Sequence, residues 1–216
     1  MATGGHVEAL LSLGLHDPNI IGRPNVVTTL MEDTSGPWME YFAHKEARDQ
    51  QGQFMADAYL SLIKGRTIIA EAPTGLGKTA ASLASALAAM KQSENVKKIL
   101  FLTGRQSQHK IVIDTVRKLN DNRKDHPNVA IVDLIGRESM CGKLTIDRQC
   151  FCEEGVSEKA RGGRRSQLKR WILEWPRHVE ETVKNGRKEG TCPYMCCIEA
   201  AREAEIIVMD YNHVFV

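Results

Sequence analysis

Hydrophobic positions along this chain change period twice. From about Lys45, Phe54, Ala58, Leu62 and Ile63 recur at helical spacing, and Gly65 marks a stop. Thr67-Ile68-Ile69-Ala70 predicts a short buried strand, and after the loop Glu71–Gly77 the alanine-rich stretch from Lys78 to Met90 predicts a helix. Ile99–Leu102 follows as a strand, Ser107–Leu119 as an amphipathic helix, and Val129–Ile135 as a third strand. Strands alternating with helices of this length indicate parallel βαβ units. At Gly136 the alternation stops. The stretch from Cys141 to Cys192 is polar and charged, with Gly162-Gly163 in its middle. Pro193 then suits the first position of a helix reaching about Ala204, and Ile206–Met209 returns to strand character. The predicted organisation is an N-terminal extension (1–40), an α/β core (41–139), an insert (140–192) and a return to the core (193–216).

Residues 1–40 carry a short amphipathic pattern (Val7, Leu10, Leu11, Leu13) and then Pro-containing turns, and point to no function. Hydrophobic residues make up 42% of the chain and charged residues 26%, a globular composition. The net charge of +2 announces no nucleic-acid partner, so any basic surface must be local. No apolar run approaches the roughly 18 residues that span a bilayer, and the N-terminus lacks the basic start of an export signal. A cytoplasmic setting follows as the expectation, a prokaryotic cytosol in preference or a nucleus if the source is eukaryotic. In such a compartment the six cysteines, all between Cys141 and Cys197, are expected to be thiols or metal ligands and not disulfides.

Ala72-Pro73-Thr74-Gly75-Leu76-Gly77-Lys78-Thr79 has the spacing of a Walker A phosphate loop, with Ala in place of the first Gly. Gly75 and Gly77 allow backbone N–H groups to turn toward phosphates without a Cβ in the way. The helix beginning near Lys78 offers its positive end to the same anion. Lys78 is expected to reach the β- and γ-phosphates of ATP, and Thr79 to ligate Mg2+.

Two further features lie in the insert. Four thiolates meeting at one point can hold a 4Fe-4S cluster or a structural zinc. A basic run, EKARGGRRSQLKR, carries Arg164, Arg165, Lys169 and Arg170, with Trp171 and Trp175 one turn apart beyond it. Cations beside aromatic rings suit single-stranded nucleic acid. The two tryptophans equally suit the packing of a small insert, and that is the reading preferred for them.

APTGLGKT resembles the phosphate loop of superfamily 2 helicases, and three more segments resemble their XPD/DinG branch. Glu46–Gln51 is similar to the arginine–glutamine element upstream of the loop, which implies adenine contact by Gln51 with Arg48 nearby. Leu102–Gln108 resembles the motif Ia region, which implies that Thr103, Arg105 and Gln108 touch the translocating strand. The family opens that motif threonine–arginine–threonine, whereas this chain has Thr103-Gly104-Arg105. Gly136–Cys141 resembles the entry to the family's iron–sulfur domain and Thr191–Tyr194 its exit. The resemblance therefore implies cluster ligation by Cys141, Cys150, Cys152 and Cys192, although the single residue between Cys150 and Cys152 is a narrower gap than the pattern leads one to expect. Cys196 and Cys197 are left as buried hydrophobes of the exit helix.

The implied fold is a RecA-like P-loop core of parallel strands, interrupted by a mostly helical iron–sulfur insert. The implied activity is ATP-driven 5′–3′ unwinding of single-stranded or forked DNA, completed by a second RecA-like domain. Asp210 aligns with a strand ahead of the Walker B element, and the chain stops at Val216 before an Asp-Glu-x-His string. The expectation is therefore a first part of a longer motor, binding ATP weakly and unwinding nothing alone. Two rivals stand beside it: a non-catalytic single-strand-binding module with structural zinc, and an unrelated P-loop ATPase or kinase. The pathway served and the oligomeric state are not readable from the sequence.

Overall fold

A computed structural model describes residues 35–94, 96–142 and 150–215. The amphipathic reading at Val7–Leu13 lies outside the described residues. The chain divides into two compact units, one ending at Lys97 and the other running from Lys98.

In the first unit, a one-turn 3-10 helix at Pro37–Tyr41 precedes α1 (Asp49–Ile63) and α2 (Lys78–Gln92). Helix α1 opens with a one-sided cap: the Arg48 backbone N–H donates to the Gln51 carboxamide oxygen at 3.3 Å. It ends at Gly65, whose φ of +63° is the left-handed stop the glycine was read to provide. Small residues make α2 a core helix, with Ala81, Ala84, Leu87 and Ala89 fully buried. Ser85 donates its hydroxyl to the Met55 carbonyl at 2.9 Å, pinning α2 to α1. Trp38 packs on Tyr59, ring centroids 5.4 Å apart, and closes the unit.

One predicted element is absent. Thr67–Ala70 is not a strand, and Ile69 is 96% exposed. A strand exists only through hydrogen bonds to a neighbour, and the described residues of this unit form helices alone. The apolar run is real, but it has no ladder within the unit to join.

The second unit is built on a three-stranded parallel sheet of β1 (Ile99–Thr103), β2 (Ile131–Leu134) and β3 (Ile206–Asp210), in the order β1-β3-β2. The last strand in sequence enters the middle. Ile206 faces Ile99 on one side and Ile131 on the other. Helix α3 (Gln106–Asn122) connects β1 to β2 and buries Val112, Ile113, Val116 and Leu119. After β2 come the short α4 (Arg137–Met140), α5 (Glu158–Glu174), α6 (Val179–Lys188) and α7 (Pro193–Ala201), with Pro193 opening α7 as expected. A single turn, α8 (Asn212–Phe215), follows β3.

The insert shares its core with the sheet. Leu168 and Ile172 of α5, Val179 of α6 and Cys196, Cys197 and Ala200 of α7 form one buried cluster with Val132, Leu134, Ile207 and Met209. That explains why Cys196 and Cys197 behave as packing residues: they are 0% and 1% exposed. Trp171 packs against the same cluster with the Arg177 guanidinium 4.1 Å from its ring centre, the packing role preferred for it.

Candidate phosphate loop and thiolate site

The phosphate loop turns on two glycines. Gly75 and Gly77 have φ of +86° and +83°, and the Leu76 side chain between them is buried as an anchor. Lys78 sits at the first position of α2, and its Nζ donates to the carbonyls of Ala72 at 3.0 Å and Pro73 at 2.9 Å. The lysine is thus folded back over its own loop, held by neutral acceptors that an anion can outcompete. Thr79 follows on the first turn, half-buried, and Pro73 and Thr74 are exposed. No side chain caps α2 at Gly77, which leaves its first N–H groups open to an anion.

Arg48 and Gln51 come to the same loop, but onto its backbone. Arg48 Nη1 donates to the Gly75 carbonyl, and Gln51 Nε2 to the Gly77 carbonyl at 3.2 Å. The resemblance implied adenine contact by Gln51 with Arg48 nearby. The structure adds that they hold the two left-handed residues from behind, a role no motif announced.

In the second unit, Cys141, Cys150, Cys152 and Cys192 converge, their sulfurs all within 4.8 Å of one another. Cys141 Sγ lies 3.1 Å from Cys150 and 3.2 Å from Cys152, and Cys150 Sγ lies 3.4 Å from Cys192. Short α4 delivers Cys141, a turn carrying Gly155 at φ +74° follows Cys152, and Cys192 is the residue before α7. The narrow Cys150-Phe151-Cys152 spacing therefore still brings both sulfurs to the site.

Burial pushes the Cys192 thiol up to about 12, and the neighbouring sulfurs add to the rise. Burial also raises Cys152. For Cys150, burial acts upward but is outweighed by hydrogen bonds from Cys141 and Cys152, leaving it below the ordinary thiol value. Four thiolates cannot ionise so close together without a cation, so metal uptake there must expel protons. The soft, all-sulfur donor set fits zinc or iron–sulfur chemistry.

Glu153, next to Cys152, is 8% exposed and was not singled out by the sequence. Burial acts to raise its pKa, but Arg165, Thr191 and the Cys192 N–H together hold it down to about 2. Nor was the buried pair of His109 Nδ1 and Asp133 at 2.7 Å, whose carboxylate also accepts from the Val179 backbone N–H at 2.9 Å. That contact joins α3, β2 and the start of α6.

The basic run divides. Arg165 is spent inside the protein, on Glu153 and on Glu199 at 3.3 Å. Lys169 pairs with Glu203 at 2.8 Å, and Arg164 donates to the Gly190 carbonyl at 3.3 Å. Arg164 and Arg170 are exposed on α5. In the motif Ia region, Arg105 and Gln108 are exposed at the start of α3. Thr103 is buried, and its hydroxyl turns back onto the Arg105 backbone.

The pattern of the DEAD_2 family matches residues 101–215, more than half of the 216 residues. The chain belongs to the DEAD_2 family. The pattern of the DEAD/DEAH box helicases covers residues 49–144 of this DEAD_2 chain, across the phosphate loop. Among curated proteins, it is 35% identical over 75 residues to Regulator of telomere elongation helicase 1 of Rattus norvegicus, covering 35% of this chain and 5% of the rat protein.

Two solved structures share the fold. One titled Truncated XPD matches with a TM-score of 0.50 and 21% identity over 75% of this chain and 45% of its own. One titled XPD_Helicase matches at 0.52 and 22% over 80% and 29%. The likeness to both is one of fold, and the match of this DEAD_2 chain spans less than half of either structure. Membership of this family speaks against an unrelated P-loop ATPase or kinase. No helix among the described residues is long and apolar enough to cross a membrane.

Proposed function

We propose that this chain is the nucleotide-binding and cluster-bearing part of an ATP-dependent DNA helicase that moves 5′–3′ along one strand. The observation that carries the reading is the convergence of four sulfurs from positions 141 to 192 in a chain that also holds a phosphate loop. Lys78 would leave the Ala72 and Pro73 carbonyls for the β- and γ-phosphates of ATP, and Thr79 would ligate Mg2+. Gly75 and Gly77 keep the backbone open to the phosphates, and Arg48 and Gln51 fix that shape. ATP supplies the free energy for movement, which also requires a second RecA-like domain.

Cys141, Cys150, Cys152 and Cys192 would hold a 4Fe-4S cluster, a rigid cross-link at the base of the insert. DNA would pass over Arg105 and Gln108 on α3 and over Arg164 and Arg170 on α5, the exposed members of the predicted set. Arg165, Lys169 and Thr103 are engaged within the protein and would support that surface from beneath.

One observation favours a second reading of the metal. Four sulfurs around a single zinc at Zn–S of about 2.3 Å stand about 3.8 Å apart, within the range here, where three pairs are in contact at 3.1–3.4 Å and all lie within 4.8 Å. A cubane places each thiolate on a different iron and spreads them. Zinc would make the insert a structural nucleic-acid-binding module. Iron, acid-labile sulfide and zinc, measured on protein purified without oxygen, separate the two. Iron and sulfide in equal amounts support the helicase cluster, zinc alone supports the module, and neither metal removes both.

A further inference from the structure

Glu153 is a buried carboxylate set where two distant ligand segments meet. Oε1 accepts from the Thr191 hydroxyl at 2.5 Å and from the Cys192 backbone N–H at 3.1 Å. Oε2 accepts from Arg165 Nη2 at 2.5 Å, and Arg165 Nε lies 3.0 and 3.1 Å from the two oxygens. Three segments are therefore tied to one side chain: the central cysteine turn, the exit cysteine and α5. Arg165 extends the tie to Glu199 of α7.

A carboxylate out of water is costly unless every lone pair is used. Here that cost falls beside four sulfurs, a poor place for negative charge. Arg165 cancels the charge with a bidentate grip, so Glu153 adds almost no field to the site. What remains is geometry. Cys152 and Cys192 stand 40 positions apart, and without the carboxylate no described hydrogen bond joins the turn after Cys152 to Thr191 and Cys192. Pro193 has no N–H, so the Cys192 N–H is the last backbone donor before α7, and Glu153 takes it.

We infer that Glu153 is a positioning residue for the thiolate site, fixing the exit ligand Cys192 against the central pair through Thr191 and the Cys192 N–H, with Arg165 as its neutralising anchor. This rests on the reading that the four cysteines hold a metal. Outer contacts of this kind are worth about 10–100-fold in metal affinity.

The test loads the full chain and its variants with cobalt(II), whose thiolate charge-transfer bands report ligand geometry, and measures retention against a chelator, with far-UV circular dichroism as the check on folding. Glu153→Ala is expected to keep its helical signal, since the apolar cluster around Leu168 and Ile172 is untouched, while losing about 10–100-fold in retention and shifting the bands. Glu153→Gln keeps an acceptor oxygen for Thr191 and Cys192 and is expected to restore the bands and most of the retention. Should Glu153→Ala not fold, Thr191→Val carries the test, since it leaves the Arg165 pair intact and is expected to lose several-fold in retention. Wild-type retention and bands in Glu153→Ala, or in Thr191→Val where Glu153→Ala does not fold, would overturn the inference alone. A wild-type chain that binds neither cobalt nor iron with sulfide overturns this inference and the metal reading beneath it.

Discussion

In the proposed phosphate loop the binding groups would be backbone N–H groups and one lysine drawn from eight consecutive residues, whereas the candidate thiolate site draws its sulfurs from positions 141, 150, 152 and 192. The loop's shape comes from two left-handed glycines and a buried Leu76, with Arg48 and Gln51 behind it. The thiolate site has its shape from the packing of a turn, a short helix and the start of α7 on a shared core. A site made of backbone tolerates most side-chain changes and fails where a Cβ enters. A site made of four side chains fails when any one is lost.

The largest effect is therefore expected at a sulfur. Cys192→Ser removes one of four ligands and should reduce metal content by more than the roughly 10–100-fold assigned to outer contacts. Metal analysis after gel filtration and the midpoint of thermal unfolding measure it, because binding free energy at such sites is folding free energy. Nucleotide binding should be unchanged, since the loop's own hydrogen bonds come from Arg48, Gln51 and residues within it. A matching loss of ATP affinity in Cys192→Ser would show that the two sites are not separable in this way.

Next in size is Lys78→Ala. It removes a charge-assisted contact worth about 1.5–3 kcal/mol, or about tenfold to a hundredfold in the ATP dissociation constant. Titration with a fluorescent ATP analogue reads it directly, and metal content should not move. An unchanged dissociation constant would break the assignment of the loop as a nucleotide site.

A methyl group at Gly77 is a finer probe. With φ at +83°, an added Cβ would stand 2.5 Å from Gln51 Nε2, so the carboxamide must leave the Gly77 carbonyl. Gly77→Ala should cost about 1–3 kcal/mol of local stability and weaken ATP binding less than Lys78→Ala does. In a Gln51→Ala background part of that cost should vanish, and a double-mutant cycle measures the coupling. Strict additivity would mean that Gln51 does not hold the loop.

This contrast also governs what the sequence disclosed. A site confined to Ala72–Thr79 is legible because its chemistry is its spacing. The parallel strands at Ile99, Ile131 and Ile206 were legible from apolar runs, but not that β3 enters between the other two. Resemblance supplied the four cysteines, yet Glu153 was invisible. Nothing in a glutamate after Cys152 announces an arginine 12 residues on and a threonine 38 residues on. The buried His109–Asp133 pair is hidden for the same reason, its partners lying on different elements. Thr67–Ala70 misled because an apolar run states a preference for burial and not the presence of a neighbouring strand.

The smallest expected effect separates the insert's packing from its sulfurs. Glu181, in the first turn of α6, accepts from the His178 backbone N–H at 2.8 Å and pairs with Arg117 of α3. Burial acts to raise its pKa, but the His178 N–H and the Arg117 guanidinium outweigh it and the net shift is downward. A carboxylate whose folded value lies below its unfolded one stabilises fully above the unfolded value, about 4.3 for glutamate, and loses that contribution as the pH falls through the folded value. Glu181 is 42% exposed in its side chain, so solvent screens the pair and Glu181→Gln should cost only about 0.2–1 kcal/mol at neutral pH. The difference from wild type should begin to shrink as the pH falls below about 4.3 and close only below the folded value, measured as urea midpoints across the pH series. Metal content should stay at the wild-type level throughout the neutral range. A drop in metal there would mean that the anchoring of α6 on α3 sets the spacing of the sulfurs, and that the thiolate site reaches further into the fold than its four ligands.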